Sequence, residues 1–252
     1  MKNNLISLAI GLAAGSFGGL IGLGGGLIMI PLMIGVLKLS QHQAHGTSLV
    51  ALIFTGISGA LVYGLQGNID LLAAGSLAIT AIITARAGAN YAHALPGWKL
   101  RRAFGAFLIF CAALLVIKPY LPVAYGQHPL YIKIILFLIT GAVTGFLSGM
   151  MGVGGGTIMV PAMVLLAGFG QHMAQGTSLL VMVPLGAAGG LVHHQLGNVA
   201  KGFLPGLIPG IVLGTVVGGN VANFIPDAPL RLTFIAAIIF MGMKYVRSGA
   251  PE

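Results

Sequence analysis

Charged residues in this chain are separated by long apolar runs: Ile21–Leu37, Leu71–Ala85 and Ala103–Ile117 contain none. A helix that crosses a bilayer needs roughly 20 mostly apolar residues, within about 17–25. The pattern predicts such helices over about 5–22, 45–65, 70–92, 100–118, 131–152, 175–195, 201–222 and 230–247. Two shorter apolar segments, about 27–38 and 157–168, follow the first and fifth of these. Twelve residues of helix extend about 18 Å against a core of about 30 Å, so neither comfortably spans. A transmembrane β-barrel would show short alternating segments instead. The expected fold is an all-α polytopic membrane protein.

Composition agrees. Of 252 residues, 57% are hydrophobic and 6% charged, whereas a soluble domain carries about 25% charged residues to cover its surface. Mean hydropathy is +1.02. The single cysteine, Cys111, excludes an intrachain disulfide and a Cys-rich metal cluster, and its apolar surroundings suit a small core residue. The net charge of +9 would suggest nucleic acid in a soluble chain. Here the basic residues sit mostly at segment ends, so membrane orientation is the expected cause and no nucleic-acid partner is.

Residue n resembles residue n+130. Residues 19–50 against 149–180 give 16 identities in 32 positions without a gap. GLIGLGGGLIMIP at 19–31 returns as GMMGVGGGTIMVP at 149–161, and Gln41-His42 and Gly46-Thr47-Ser48 return as Gln171-His172 and Gly176-Thr177-Ser178. Gly88, Asn90, Pro96 and Arg101 also have copies, at Gly218, Asn220, Pro226 and Arg231. The chain is therefore expected to hold two units, 1–125 and 126–252. The N-terminus resembles a signal peptide, with one lysine before an apolar run. Its counterpart at Ile134–Gly149 instead places it in the mature fold.

Lysine and arginine mark the cytoplasmic side. Equivalent loops of the two units differ in the direction expected of inverted copies: Lys38 faces no basic counterpart, Lys99, Arg101 and Arg102 face Arg231 beside Asp227, and Lys201 has no counterpart in 66–70. With Lys2, Lys244 and Arg247, eight basic residues lie inside and three outside (Lys118, Lys133 and Arg231), with Arg86 set apart within a segment. The N-terminus is expected in the cytoplasm and the chain in the inner, or plasma, membrane. Each unit then crosses an odd number of times. Five crossings satisfy this, as does a re-entrant hairpin followed by three, and the short second segment favours the hairpin.

Inverted repeats with short, glycine-interrupted segments point to a secondary transporter with its site near mid-membrane. Three glycines bend freely and allow close approach, and each triplet opens a helix whose first N–H groups suit an anion. The candidate substrate contacts are Gly24, Gly25, Gly26, Gly154, Gly155 and Gly156, with close helix packing as the plain alternative. Thr47, Ser48, Thr177 and Ser178 are read at helix starts, where they cap free N–H groups or donate to a ligand. Gln41, His42, Gln171 and His172 are interfacial polar residues or contact an anion or proton. Arg86 snorkels to the interface or serves the substrate, and Asn90 and Asn220 point inward or join helices.

The only acids are Asp70, Asp227 and Glu252, none in mid-segment, which disfavours a carboxylate-based cation site. The chain has no GxxxxGK[ST], HExxH or GxSxG, so neither ATP drive nor hydrolytic chemistry is indicated and no cofactor or metal is expected.

The duplicated GxGGGxxxxP, the later AxGTSL at Ala44–Leu49 and Ala174–Leu179, and LPxxxLRxxFG at Leu95–Gly105 resemble the sulfite exporter TauE/SafE family. The resemblance covers essentially the whole chain. It implies an inner-membrane permease for sulfur-containing anions such as sulfite or organosulfonates. Repeat and lining together are read as a passive or proton-coupled anion permease, not an enzyme, working by alternating access, with protons as the candidate coupling ion. An anion channel or a transporter of another small organic anion is the alternative.

Overall fold

In a computed structural model, described over residues 2–91, 97–117 and 129–247, the chain is all α-helical, with no strand among the described residues. The long helices are α1 (Lys2–Ile21), α3 (Gln41–Leu65), α4 (Leu71–Tyr91), α5 (Gly97–Ile117), α6 (Leu130–Met151), α8 (Gln171–Gln195), α9 (Leu204–Phe224) and α10 (Asp227–Val246). Two short ones, α2 (Gly26–Gly35) and α7 (Gly156–Leu166), follow the glycine triplets, and a 3-10 turn at Lys201–Phe203 leads into α9. Among the described residues, seven helices are long and apolar enough to span a membrane. Leu95, Pro96 and Lys118 lie outside the described residues.

The two long central helices begin four residues earlier than hydrophobicity alone predicts. Hydropathy marks apolar turns, whereas a cap fixes where the backbone ladder starts. Ser40 accepts from the Gln43 amide while the Gln43 side chain accepts from the Ser40 amide, a reciprocal capping box that opens α3. At the start of α8, Asp227 of α10 accepts from the amides of Gln171 at 3.0 Å and His172 at 3.3 Å.

Glycines set the helix pairs. A Cβ at Gly11, Gly15 or Gly19 of α1 would lie 2.3, 2.4 and 2.5 Å from the carbonyl oxygens of Leu207, Ile211 and Thr215 of α9. Gly141, Gly145 and Gly149 of α6 meet Leu77, Ala81 and Ala85 of α4 in the same way, at 2.3, 2.3 and 2.2 Å. Small residues one turn apart let two backbones touch where side chains would hold them apart. Both pairs run parallel. The α3–α8 pair is antiparallel, with Gly46 beside Asn198, Gly56 beside Val183 and Gly176 beside Tyr63. So is the α5–α10 pair, where Gly105 meets Tyr245 and Gly242 meets Ile109. Each of these pairs joins one helix before residue 126 to one after it.

These contacts fix the course of the short helices. The start of α1 lies beside Gly206, and α2 ends just before α3, whose start lies beside Asn198. Both ends of the α1–α2 hairpin are thus at the end of the bundle where α9 begins. The start of α6 accompanies that of α4, and α7 ends just before α8, whose start lies beside Asn68. Both ends of the α6–α7 hairpin are therefore at the opposite end. A hairpin followed by three traversing helices occurs in each half, rather than five traverses. Lys38, Lys201, Lys244 and Arg247 lie at the first end, and Asp70, Lys133, Asp227 and Arg231 at the second.

Candidate functional site

The two glycine turns meet in the middle of the molecule. α1 ends because Gly22 takes a left-handed conformation (φ 71°), and Gly24 and Gly25 continue it. α6 ends likewise at Gly152. The turns lie antiparallel against each other. A Cβ at Gly156 would stand 2.3 Å from the Gly22 carbonyl oxygen, one at Gly154 3.0 Å from that of Leu23, and one at Gly26 2.9 Å from that of Gly152. Leu52 of α3 and Met182 of α8 close over Gly24. Every residue over Ile21–Leu27 and Ser148–Pro161 is buried. The centre is sealed.

The Thr-Ser pairs hold these turns from the opposite half. Ser48 Oγ donates to the Gly152 carbonyl at 2.7 Å, and Ser178 Oγ to the Gly22 carbonyl at 3.0 Å. Thr47 Oγ1 accepts from the Ala200 amide at 2.9 Å, and Thr177 Oγ1 from the Asp70 amide at 3.0 Å. The sequence places these four at helix starts. The structure places them in the second turn of α3 and α8, because the caps described above extend both helices. Threonine does cap free amides, but those of the segment that follows the partner helix.

The remaining candidates divide. Gln171 is 2% exposed, and neither its side-chain oxygen nor its nitrogen has a hydrogen-bond partner. His172 pairs through Nδ1 with Asp227 and lies 3.1 Å from the Ala222 carbonyl through Nε2. Gln41 and His42 are exposed at the far end of the bundle, so the duplicated Gln-His pair is not brought together. Arg86, Asn90 and Asn220 are exposed on the outer faces of α4 and α9, away from the turns, and Asn220 donates to its own helix at Val216. Among described residues no group of three or more His, Cys, Asp or Glu could hold a metal. An apolar groove of about 360 Å³ between Phe17, Ile28 and Val217 opens on the outside of α1 and α9 and carries no candidate residue.

Several polar residues at the turns are not identical between the halves and escape a search for identities. Tyr63 donates to Gln175 at 2.8 Å and reaches the Gly19 carbonyl at 3.0 Å. The equivalent positions, one repeat on or back, hold His193, His45 and Gly149, and His193 Nε2 lies 3.4 Å from the Gly149 carbonyl. Beside the second turn, Thr144 and Ser148 of α6 and Thr157 of α7 are 0%, 3% and 0% exposed, with hydroxyls that bond to nothing. A buried hydroxyl left unpaired costs about 1–3 kcal/mol. Other helical hydroxyls here avoid that cost by bonding back one turn, as Ser58 does to Phe54 and Thr84 to Thr80.

The profile of the sulfite exporter TauE/SafE family matches residues 7–245. The probable membrane transporter protein YunE of Bacillus subtilis is 29% identical over 217 residues, covering 77% of this chain and 80% of that protein. YjnA of the same organism, also a probable membrane transporter protein, is 26% identical over 250 residues, covering 95% and 98%. The probable membrane transporter protein MJ0441 of Methanocaldococcus jannaschii is 26% identical over 197 residues, covering 76% and 72%. No solved structure matches. With a match that runs through both hairpins and all four of the helix pairs described above, the chain belongs to the sulfite exporter TauE/SafE family of membrane transporters.

Proposed function

We propose that the protein is a secondary transporter of small sulfur-containing anions, such as sulfite or organosulfonates, working by alternating access between two inverted repeats, 1–125 and 126–252. The observation that carries this reading is the meeting of the two glycine turns at a sealed centre. Each turn leads into a helix, α2 or α7, whose ladder begins only with the amides of residues 28–29 or 158–159 bonding back to Gly25 or Gly155. The earlier amides of each helix stand outside that ladder, at its positive end. Non-helical backbone at such depth is stable where protein or a cavity surrounds it.

The parallel α1–α9 and α4–α6 pairs and the antiparallel α3–α8 pair support the inverted repeat, since two copies related by an axis in the membrane plane pair in this manner. The basic end, with Lys38, Lys201, Lys244 and Arg247, is assigned to the cytoplasm, which puts the N-terminus there in an inner-membrane protein. The buried polar residues at the turns include no acid, which favours an anion over a cation. The family name supplies the sulfur class.

Counterflow of radiolabelled sulfite into proteoliposomes, with sulfoacetate, sulfate, chloride and a neutral amino acid as competitors, tests this reading. Counterflow blocked by the sulfur anions alone is expected. Ohmic anion currents without counterflow would instead make the protein a channel. A pH gradient that drives sulfite accumulation would identify the proton as the coupling ion.

A further inference from the structure

We propose that Thr144, Ser148 and Thr157 form an oxyanion seat that exists in the second repeat only. This inference rests on the anion-transport reading and gives its site a specific location. Thr144 reaches the turn directly: a Cβ on Gly155 would lie 2.5 Å from its Cγ2. Ser148 stands one turn further along α6, on the same face, with its Cβ about 5–6 Å from that of Thr144. Thr157 is the second residue of α7, in the turn whose amides lie outside the helical ladder. All three hydroxyls are buried and unpartnered. Thr144 and Ser148 have the carbonyls of Thr140 and Thr144 one turn back and do not use them.

The first repeat supplies the control. Its equivalent positions are Ala14, Gly18 and Leu27, with no hydroxyl among them. Backbone fills the space there: a Cβ on Gly18 would lie 2.5 Å from the Gly25 amide nitrogen, and one on Gly25 2.4 Å from the Ala14 carbonyl oxygen. Where Ser148 replaces Gly18, the turn changes its path. Gly25 is left-handed at φ 73°, and Gly155 is right-handed at φ −83°. The first turn is packed shut by backbone, and the second is bordered by side chains, among them that of Thr144.

Three hydroxyl donors, together with the amides at the positive end of α7, suit one compact oxyanion head group. Hydroxyl oxygens can also hold a sodium ion, and the test separates the two. Purified full-length protein is titrated with sulfite, following its thermal stabilisation and the binding of radiolabelled sulfite, for the wild type and for Thr144→Val, Ser148→Ala and Thr157→Val. Each variant keeps the shape of its site and removes one hydroxyl.

The expected result is sulfite affinity at least 10-fold weaker in each variant, and stabilisation by sulfite lost in the triple variant. The melting temperature without ligand should be unchanged or higher. Thr55→Val on α3, whose hydroxyl bonds back to Ala51, should bind sulfite as the wild type does. Wild-type affinity in the triple variant would overturn the seat while leaving sulfite transport standing. Sodium binding that disappears with these hydroxyls, with sulfite binding intact, would overturn it in favour of a cation site. A wild type that neither binds nor exchanges sulfite or the competing anions would overturn the anion reading and the seat with it.

Discussion

The two glycine turns occupy equivalent places and differ in what surrounds them. The first is closed by backbone, with Gly18 and Ala14 pressed against Gly25. The second is bordered by the side chains of Thr144 and Met159, and by hydroxyls that satisfy no partner in the closed molecule. The same motif in both halves therefore does two jobs. Its repetition builds a symmetric crossing at the centre, and the residues that differ around it make one side of that crossing polar. Among the described residues, the buried side-chain polar atoms without a hydrogen-bond partner belong to residues after 126. Buried polar side chains of the first half, such as Ser48 and Tyr63, are instead paired.

Alanine at the third glycine position sharpens this contrast most. Gly25→Ala puts a side chain at φ 73° and against the Ala14 carbonyl, and left-handed backbone alone costs about 1–2 kcal/mol. Gly155→Ala has ordinary φ and meets side chains rather than backbone, the flexible end of Met159 and the stiffer methyl of Thr144. In chemical denaturation or thermal melting in detergent, Gly25→Ala should be less stable than Gly155→Ala by about 1–2 kcal/mol. Equal losses would break the comparison.

The serine clamps predict the opposite, a symmetric effect. Ser48→Ala and Ser178→Ala each remove a hydroxyl donor to the turn of the other half and leave a buried carbonyl with one partner fewer. Each should cost about 1 kcal/mol, and the two should agree closely. The caps are unequal again. Asp227→Asn weakens two backbone hydrogen bonds at the start of α8 and the contact with His172 Nδ1, whereas Ser40→Ala removes a local capping box on α3. Each should cost about 0.5–2 kcal/mol. Hydrogen exchange should show fraying confined to the first turn of α8 in one and of α3 in the other. The smallest effect is expected at Arg86. Its exposure on α4 predicts that Arg86→Gln leaves sulfite counterflow within about twofold of wild type, a change under about 0.5 kcal/mol.

The helical fold was legible from apolar run lengths, and the centre of the molecule from the duplicated triplets. Identity between the halves located what both need: the packing glycines of α1 and α6, the turns, and the Ser-Thr clamps. It could not show that those clamps act across the halves, because the pairing of α3 with α8 is a tertiary fact with no local trace. It also passed over Ala14 against Thr144, Gly18 against Ser148 and Leu27 against Thr157. Read singly, a threonine or serine in an apolar helix looks like a residue bonded to its own backbone. Only its burial and missing partner set it apart. Arg86, Asn90 and Asn220 drew attention as polar residues within apolar segments, but helical phase put them on the outer face, and phase is hard to read where nearly every neighbour is apolar.

Whether the sealed crossing of the two turns opens alternately to each side is tested most directly by accessibility. Val153 lies within that crossing and is 3% exposed. A cysteine there, in a Cys111→Ala background that retains sulfite counterflow, can be probed with a membrane-impermeant thiol reagent in right-side-out and inside-out vesicles. The account predicts slow modification from both faces, at rates that sulfite shifts in opposite directions on the two sides. Modification from one face only, unaffected by sulfite in protein that transports it, would contradict alternating access through this crossing.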